Sequence, residues 1–318
     1  MNPLVSIIIP CFNAEHWISA AIESALAQTW KDIEIIAIND GSSDGSPAVL
    51  RRCAGPKVQV IDQPNRGAAA ARNAGLRVAR GEFIQFLDAD DLLTPPKIAS
   101  QVALLGRKGA GAVSTGRWAR FQGDPAAAKE ETDSPLFLDL APIDFLLRHT
   151  AGGHMMHPAA WLVPSGVARA AGPWDETLSL NDDGEYFARI ALAAQGIVHA
   201  PDSLTLYRSR VLKSLSGRSD RRSLESLYRS CELVAKHLTA AEDSPRVRRA
   251  LADYFQRLAY EVYPGAPDLS RRAEARVCAL GGSALRPPVG RRQAWLARVV
   301  GWRLARRAAA FFHGKSHS

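Results

Sequence analysis

Three aspartates stand within four positions at the end of an apolar run, in the segment FLDADD at residues 86–91. Like charges about 4 Å apart repel by roughly 1 kcal/mol in water and by about 4 kcal/mol at an effective dielectric constant of 20. A hard divalent cation would remove that repulsion, and Mg²⁺ and Mn²⁺ prefer carboxylate oxygens combined with phosphate oxygens. Asp88, Asp90 and Asp91 therefore predict a metal site, with a solvated acidic turn as the alternative.

A second acidic pair, Asp182 and Asp183, stands at the front of a helical pattern in NDDGEYFARI. Asp182 as N-cap with Glu185 three residues later would form a capping box, which leaves Asp183 without a structural role. A carboxylate in the first turn of a helix can point into a cleft, where burial by a substrate raises its pKa towards that of a general base.

Two further segments have the composition of a ligand-binding edge. In NDGSSDGS, residues 39–46, Asp40 could accept a hydrogen bond from a nucleobase or a ribose hydroxyl, while an Asx-type turn is the alternative and fits Asp44 better. In NRGAAAARNAG, residues 65–75, a helix start suits an anion, and Arg66 and Arg72 could pair with phosphate. Close packing explains the alanines of this segment without a ligand.

The first hundred residues alternate β-branched runs with helical patterns, which is typical of strand–helix–strand units and a mostly parallel sheet. We predict strands at 4–10, 33–40, 57–62 and 82–88, and helices at 14–28, 46–54, 67–79 and 95–105. The last of these helices has its own start signal, with Thr94 as N-cap and Pro95 at the first helical position. Because parallel strands end at the same edge of a sheet, the polar residues that follow them should meet in one cleft.

The rest of the chain is less regular. Residues 119–150 are mixed and loop-like and could be a lid or an insertion. We predict a strand at 159–164, a helix at 183–194, and two short strands at 197–200 and 204–208. From about residue 219 the pattern is helical, so a domain boundary is placed near 215.

Composition fits a folded protein without a membrane span. The chain has 318 residues, of which 47% are hydrophobic and 23% charged, and no run reaches 18 apolar residues. Four scattered cysteines without metal-binding spacing indicate free thiols in a reducing compartment, and no secretory leader is present, so we expect a cytoplasmic protein. Residues 270–318 hold eleven Lys and Arg and one acid, a net charge of +10, while the rest of the chain carries −2, so the basic character of the protein belongs to the tail.

The segments VSIIIPCFNAE, NDGSSDGS, NRGAAAARNAG, FLDADD and WDETL followed by NDDGEYFARI, in this order and spacing, resemble a family 2 glycosyltransferase over residues 3–215. The resemblance implies an α/β GT-A (Rossmann-like) fold in residues 1–215, with a helical region in 216–318. It implies inverting transfer of a sugar from a nucleotide-diphosphate donor, UDP being favoured by its frequency in the family, with Mn²⁺ or Mg²⁺ bound. The acceptor would be a hydroxyl of a glycan or lipid-linked precursor in surface polysaccharide biosynthesis.

Carried over by position, the resemblance assigns site residues. Asp88 and Asp90 match the metal- and donor-binding pair, and Asp183 matches the general base, with Asp182 where Glu is more usual. The remaining donor-binding positions of the resemblance are Pro10, Asn13, Asp40, Arg72 and Asn73. A basic strip at 207–217, with Arg208 and Lys213, could close over the diphosphate.

Two features allow more than one interpretation. His154 and His157 in GGHMMHPA could bind zinc, but the sequence offers no third ligand, so lining of an acceptor pocket is preferred. The tail at 291–315 is predicted to be helical, and its Trp and Arg content suits an anionic membrane surface on the inner face of the cell membrane. Packing on the body of the protein or a disordered basic end are the alternatives.

Two other functions compete with glycosyl transfer. A sugar nucleotidyltransferase would share the nucleotide-binding sheet, but it is expected to carry a glycine-rich, lysine-bearing loop after its first strand, where this chain has PCFNAE. A non-catalytic basic protein that binds nucleic acid or another anion would suit the tail. The near-neutral body argues against nucleic acid as a partner.

Overall fold

The computed structural model describes residues 2–109, 111–209, 220–286 and 302–304. Most of its strands are rich in residues that fit a pleated, half-buried surface. The strands are Val5–Cys11 (β1), Ile33–Asp40 (β2), Val58–Gln63 (β3), Phe83–Phe86 (β4), Leu92–Leu93 (β5), Ala112–Phe121 (β6), Lys129–Glu130 (β7), Trp161–Pro164 (β8) and Gly196–Arg208 (β9). The α-helices are Ile18–Leu26 (α1), Ser46–Cys53 (α2), Ala68–Val78 (α3), Lys97–Lys108 (α4), Pro142–Gly152 (α5), Ser165–Ala171 (α6), Asp182–Ala193 (α7), Arg221–Ala241 (α8), Pro245–Glu261 (α9) and Pro267–Ala279 (α10).

The strands form one mixed sheet in the order β3-β2-β1-β4-β8-β6-β9-β5, and β7 pairs with β6 off this path. β1 pairs in parallel with β2 and β4, and β2 pairs in parallel with β3. β8 is antiparallel to both β4 and β6, while β9 returns parallel to β6. The carboxyl ends of the first four strands of this order therefore meet at one edge, where open α/β sheets bind ligands.

Helices cover both faces of the sheet. Every residue of β2 is buried, as expected for a parallel strand that is covered on both sides. Apolar residues of α1, α2 and α4 pack on one face, and those of α3 and α5 to α10 form the core on the other. α3 approaches the sheet closely, because a Cβ at Gly75 would lie 2.5 Å from Cγ2 of Ile8. This close packing explains the small residues of α3 and holds Arg72 near the carboxyl edge.

The C-terminal helices share the core of the sheet. One continuous hydrophobic cluster includes Phe86 of the sheet, Phe145 of α5, Tyr186 of α7, Leu227 of α8 and Phe255 of α9. The predicted boundary near residue 215 marks a change in the sequence pattern, but the hydrophobic core continues across it. The division into two domains stays a prediction.

Several element predictions need correction. The helix that follows FLDADD begins at Lys97 with Pro96 as N-cap, and the Thr94 hydroxyl donates to the carbonyl of Leu204 instead of capping. The two short strands near 200 are one long strand, β9. The loop-like interval 119–150 contains the end of β6 and most of α5, and neither of these elements, nor α6, was predicted.

A short part of the basic tail contacts the helical region. Trp302 packs edge-on against Tyr260, with ring centroids 4.8 Å apart, and against Tyr263 at 5.1 Å. Most of the predicted tail helix at 291–315, and Lys213 of the basic strip, lie outside the described residues. Within the described ranges, no helix combines the length and apolar character needed to cross a membrane.

Candidate active site

Two aspartates that follow β4, of which one is buried and one half-buried, form a cluster with a buried histidine. Asp91 is 1% exposed, and its Oδ1 accepts a hydrogen bond of 2.7 Å from the backbone amide of Arg208. Its Oδ2 lies 2.8 Å from Nε2 of His157, which is 3% exposed. Nδ1 of His157 accepts from the amide of Ala159 at 3.2 Å, so Nε2 is the nitrogen that faces the cluster. Asp88 completes the group, with ligand atoms of Asp88, Asp91 and His157 all within 4.8 Å of one another.

The aspartates of this region outnumber the histidine that lies among them. Burial raises the pKa of Asp90 to about 7, and repulsion from Asp91 and Asp88 adds to this effect. Burial also raises the pKa of Asp91, although His157 opposes it. The pKa of His157 is lowered by burial but raised more strongly by Asp91 and Asp88, so it ends above 6.5. These shifts have the direction expected where buried carboxylates crowd together.

The donor set fits a divalent cation. Oδ2 of Asp91 and Nε2 of His157 are buried and lack a well-formed hydrogen bond, although they lie close to each other. Carboxylate oxygens and a neutral imidazole suit Mn²⁺, while oxygen ligands alone are preferred by Mg²⁺. The resemblance assigned metal binding to Asp88 and Asp90. The triad of possible ligands in the structure is Asp88, Asp91 and His157, and it does not include Asp90. His157, for which lining of an acceptor pocket was preferred over a zinc site with His154, lies beside the two aspartates of this triad.

Arg72 joins this cluster to the second acidic pair. Its Nη2 donates to Oδ1 of Asp88 at 2.8 Å, and its Nη1 donates to Oδ2 of Asp182 at 2.9 Å. The guanidinium lies over the ring of Trp174, 4.4 Å from the centroid, and its side chain is 6% exposed. Burial favours the neutral form of Asp88, but Arg72 and His157 outweigh burial and lower the pKa of that carboxyl. Arg72 was predicted to pair with donor phosphate, whereas here both ends of its guanidinium bind protein carboxylates.

The acidic pair opens α7, and its two carboxylates have different surroundings. The N-cap is Asn181 in the left-handed conformation, with φ 59° and ψ 31°, so the capping box predicted with Asp182 as N-cap is wrong. Burial raises the pKa of Asp182 to about 6, with Arg72 opposing and Asp183 adding to the effect. Oδ1 of Asp183 accepts from the amide of Gly184 at 2.9 Å, and among the described residues Asp183 forms no ion pair.

The loops after β1 and β2 are tied together at the same edge. Asn13, with φ 50°, donates its amide to Oγ of Ser42 at 3.0 Å and accepts from the amide of Ser43 at 2.8 Å. Pro10 lies within β1, two residues before the exposed ring of Phe12. These contacts give the predicted nucleotide loop a fixed shape.

Asp40 and Asn73 are engaged with the protein itself. The carboxylate of Asp40 is buried and accepts from the amides of Arg66 and Gly67, at 2.9 and 2.8 Å, and from Nε2 of Gln63 at 2.7 Å. The Asn73 side chain donates to the carbonyl of Trp174 at 3.0 Å and accepts from the amide of the same residue at 2.9 Å. Both side chains hold loops at the edge of the site, and their ligand contacts remain predictions.

Arg208 lies beside the metal cluster. Its Nε donates to the carbonyl of Asp90 at 3.0 Å, and its guanidinium is sandwiched between Trp17 and Phe121, 4.1 and 4.3 Å from the ring centroids. Burial lowers the pKa of Arg208, and Asp90 and Asp91 oppose this shift. The stacking orients a cationic side chain towards the edge where the donor phosphates were predicted.

Comparison with known proteins identifies the family. The family model described as Glycosyl transferase family 2 matches residues 6–215. The chain belongs to glycosyltransferase family 2. A pneumococcal glycosyltransferase, GlyG of Streptococcus pneumoniae, is 29% identical over 217 residues, which cover 66% of this chain and 72% of the relative. An uncharacterised glycosyltransferase of Rickettsia typhi is 33% identical over 193 residues, and the match spans only 57% of each protein.

Solved structures of other glycan-related proteins show the same fold. Staphylococcus aureus TarS residues 1–349, in complex with UDP-GlcNAc, matches with a TM-score of 0.61 at 17% identity over 87% of this chain and 89% of that chain. The Pyrobaculum calidifontis mannosyltransferase PcManGT, in complex with GDP-Man and Mn²⁺, matches with a TM-score of 0.54 at 19% identity over 98% of this chain and 84% of the other. The predicted GT-A fold is thereby confirmed.

Proposed function

We propose that this family 2 protein is an inverting, metal-dependent glycosyltransferase that moves a sugar from a nucleotide-diphosphate donor to an acceptor hydroxyl. The observation that supports it most is the bridge formed by Arg72, which binds Asp88 at 2.8 Å and Asp182 at 2.9 Å. One side chain thus joins the carboxylate that we propose as a metal ligand to the acidic pair that we propose for base catalysis, although they are far apart in sequence.

Asp88, Asp91 and His157 would hold the divalent cation, with Asp90 next to them. The cation would supply positive charge to the diphosphate as negative charge develops on the leaving group. Arg208, fixed by its stacked rings, and the loop of Asn13 would bind the phosphates and the nucleoside. The donor complexes in which TarS and PcManGT were solved support a nucleotide sugar as the donor class.

Asp183 would act as the general base. The acceptor oxygen forms a bond to the anomeric carbon, the bond from that carbon to the phosphate oxygen breaks, and its electron pair leaves with the nucleoside diphosphate. The proton of the acceptor hydroxyl passes to Asp183. A positioned carboxylate is worth on the order of 10²- to 10⁴-fold in such a step. Asp182 is held by Arg72 and would orient the pair.

UDP is the nucleotide that we favour, and the acceptor would be a glycan or a lipid-linked precursor of a surface polysaccharide. The match to GlyG and a 46% identical stretch of 96 residues in EpsJ of Bacillus subtilis, which covers 30% of this chain and 28% of that protein, support a bacterial context. Docking of the basic tail at 291–315 on an anionic membrane is part of this proposal. The described contact of Trp302 with Tyr260 favours packing of at least that turn on the body.

A screen of nucleotide sugars tests the proposal. UDP- and GDP-sugars are added to the protein with Mn²⁺, with Mg²⁺ or with EDTA, and thermal stability and release of nucleoside diphosphate are measured. We expect one donor to raise the melting temperature and to be hydrolysed slowly when metal is present. If no nucleotide sugar stabilises the protein or is hydrolysed in either metal, the proposed donor class is wrong.

A further inference from the structure

The segment that leads into the acidic pair has few backbone partners of its own. Residues 178–181 connect a turn to α7, and Asn181 stands in the left-handed region, which is unusual for a residue other than glycine. As N-cap of α7, its side chain makes no capping hydrogen bond to the helix. Something outside α7 must therefore fix the direction from which Asp182 and Asp183 enter the site.

Two serines of α8 supply the missing partners. Oγ of Ser226 accepts from the amides of Ser179 and Leu180, at 2.7 and 3.0 Å, and donates to the carbonyl of Leu180 at 3.2 Å. Oγ of Ser230 donates to the carbonyl of Asn181 at 2.7 Å and accepts from Nδ2 of Asn181 at 2.7 Å. We call Ser226 and Ser230 the serine clamp.

The spacing of the serine clamp suits this task. Residues four apart lie on the same face of a helix, so the two hydroxyls stand one turn apart along α8 and reach consecutive residues of the segment. Ser226 is 7% exposed and Ser230 is fully buried, so water does not compete freely for these hydrogen bonds. Seven residues after Ser230, His237 of α8 lies 3.1 Å from Oε1 of Glu185 in the first turn of α7.

The polar chain continues from the serine clamp to the metal cluster. The segment ends at Asp182, whose carboxylate binds Arg72, and Arg72 binds Asp88. A small displacement of residues 179–181 would therefore move the acidic pair relative to the donor side. Misplacement of a catalytic group by about 1 Å can cost on the order of 100-fold in rate.

We propose that Ser226 and Ser230 are positioning residues for the acidic pair, so that the helical C-terminal region sets the geometry of catalysis in the sheet domain. This inference rests on the proposed function for its effect on rate, while the clamp itself can be tested without any substrate. It assigns a task to α8, a helix that lies beyond residues 6–215 matched by the family model.

The test compares Ser226→Ala, Ser230→Ala and a matched control, Ser270→Ala. Ser270 is also a fully buried serine of the C-terminal helices, but its hydroxyl donates to the carbonyl of Ala259 at 2.9 Å instead of to the segment before α7. Hydrogen exchange is measured in the full-length proteins, with peptides covering 178–184 and 68–78. We expect faster exchange at 178–184 in both clamp variants, unchanged exchange at 68–78, and neither effect in the control.

Release of nucleoside diphosphate from UDP-GlcNAc and from GDP-mannose with Mn²⁺ gives the second readout. We expect kcat of the clamp variants to fall by about tenfold or more, with KM for the donor within about twofold. Where an alanine variant does not fold, Asn181→Gly replaces it, because glycine keeps the left-handed backbone and the carbonyl that Ser230 binds, while it removes the side-chain hydrogen bond from Nδ2 to Ser230.

The outcomes separate the two proposals. Unchanged hydrogen exchange at 178–184 in the clamp variants overturns the proposal. Faster exchange combined with an unchanged kcat, or with a loss of donor binding, overturns it as well. If the wild-type protein releases nucleoside diphosphate from neither donor, the exchange comparison still decides whether the clamp holds the segment. The nucleotide-sugar screen then decides the proposed function separately.

Discussion

At the scale of single residues, the two members of the acidic pair are chemically different although they are neighbours. Asp182 is bound by Arg72 at 2.9 Å, whereas Oδ1 of Asp183 accepts only a local backbone hydrogen bond from Gly184. A base needs a carboxylate that can reach an acceptor hydroxyl, and an ion-paired carboxylate is less available for this. The structure therefore favours Asp183 for that role over Asp182.

We predict that Asp183→Asn leaves donor binding nearly intact and lowers turnover by about 10²- to 10⁴-fold, because the amide cannot accept a proton. Donor affinity is measured by calorimetry with Mn²⁺, and turnover by release of nucleoside diphosphate. Asp202→Asn on the exposed part of β9 is the matched control and should keep full activity. Loss of donor affinity in Asp183→Asn would move this residue from the acceptor side to the donor side.

Arg72→Lys should be severe although it conserves the charge. An ammonium group cannot span two carboxylates in the way that the planar guanidinium does, so Asp88 or Asp182 loses its partner. Breaking a buried ion pair costs about 3–5 kcal/mol, and we expect a loss of this order in urea unfolding together with a strong loss of turnover. Arg66→Lys, at an exposed pair with Glu176, should change unfolding free energy by less than about 1 kcal/mol. Equal effects at both positions would show that the bridge has no special role.

The sequence identified the acidic residues of this site by type but not their contacts. Asp88, Asp182 and Asp183 stand out because clustered carboxylates need a reason. His157 lies 66 positions from Asp91, and Arg72 lies 110 positions from Asp182, so no local spacing reveals either contact. The Arg72–Asp182 contact follows from the packing of α3 and α7, and the His157–Asp91 contact from the pairing of β8 with β4.

At the scale of elements, α4 buries a lysine against the sheet. Lys97 is fully buried, and its Nζ donates to the carbonyl of Trp161 at 3.1 Å and to Oε1 of Gln85. Burial holds the pKa of Lys97 well below 10.5. A neutral amine has two N–H donors, which matches the two acceptors present.

This lysine predicts a pH dependence of stability that disappears in Lys97→Met. Between the lowered pKa of the folded state and 10.5, the unfolded chain binds more protons at this residue, so its contribution to stability rises with pH. The unfolding free energy of the wild type minus that of Lys97→Met should therefore increase as pH rises, by at most about 1.4 kcal/mol per pH unit. Urea unfolding of both proteins at pH 7.0 and 9.5 measures this. A constant gap would mean that Lys97 is charged in the folded protein.

Elements were predicted well where one property dominated their sequence. The strands β1 to β3 and the helices α2 and α3 lie within one residue of their predicted bounds, because β-branched runs and small-residue helices are distinctive. β6 was missed because AVSTGRWARF mixes polar, small and aromatic residues, although nearly all of them are buried. There the pairing with β8 and β9 decides the conformation, and this pairing is not encoded within the strand itself.

At the scale of the whole molecule, residues on both sides of position 215 belong to one core. Leu227 of α8 and Phe255 of α9 lie in the same cluster as Phe86 and Tyr186. Removal of these helices would expose apolar side chains of α5 and α7, at about 1.5–3 kcal/mol for each fully exposed large side chain, against a total stability of about 5–15 kcal/mol for a typical domain.

A chain ending at residue 215 should therefore show no cooperative thermal transition, whereas a chain ending at residue 290 should retain one. Differential scanning calorimetry and near-ultraviolet circular dichroism distinguish the two results. The longer chain keeps α8 to α10 and loses the contact of Trp302 with Tyr260 and Tyr263, so a modest fall in melting temperature is expected. A folded protein ending at residue 215 would restore the predicted domain boundary.

The core that extends past residue 215 also bears on how family members could be recombined. A chimaera that joins the sheet of one glycosyltransferase to the terminal helices of another would bring together two surfaces that have not adapted to each other. Exchange of donor preference by swapping would therefore call for a crossover that keeps α7 and α8 from the same parent, since the serines of α8 and the segment before α7 are joined by hydrogen bonds that a foreign helix would have to reproduce.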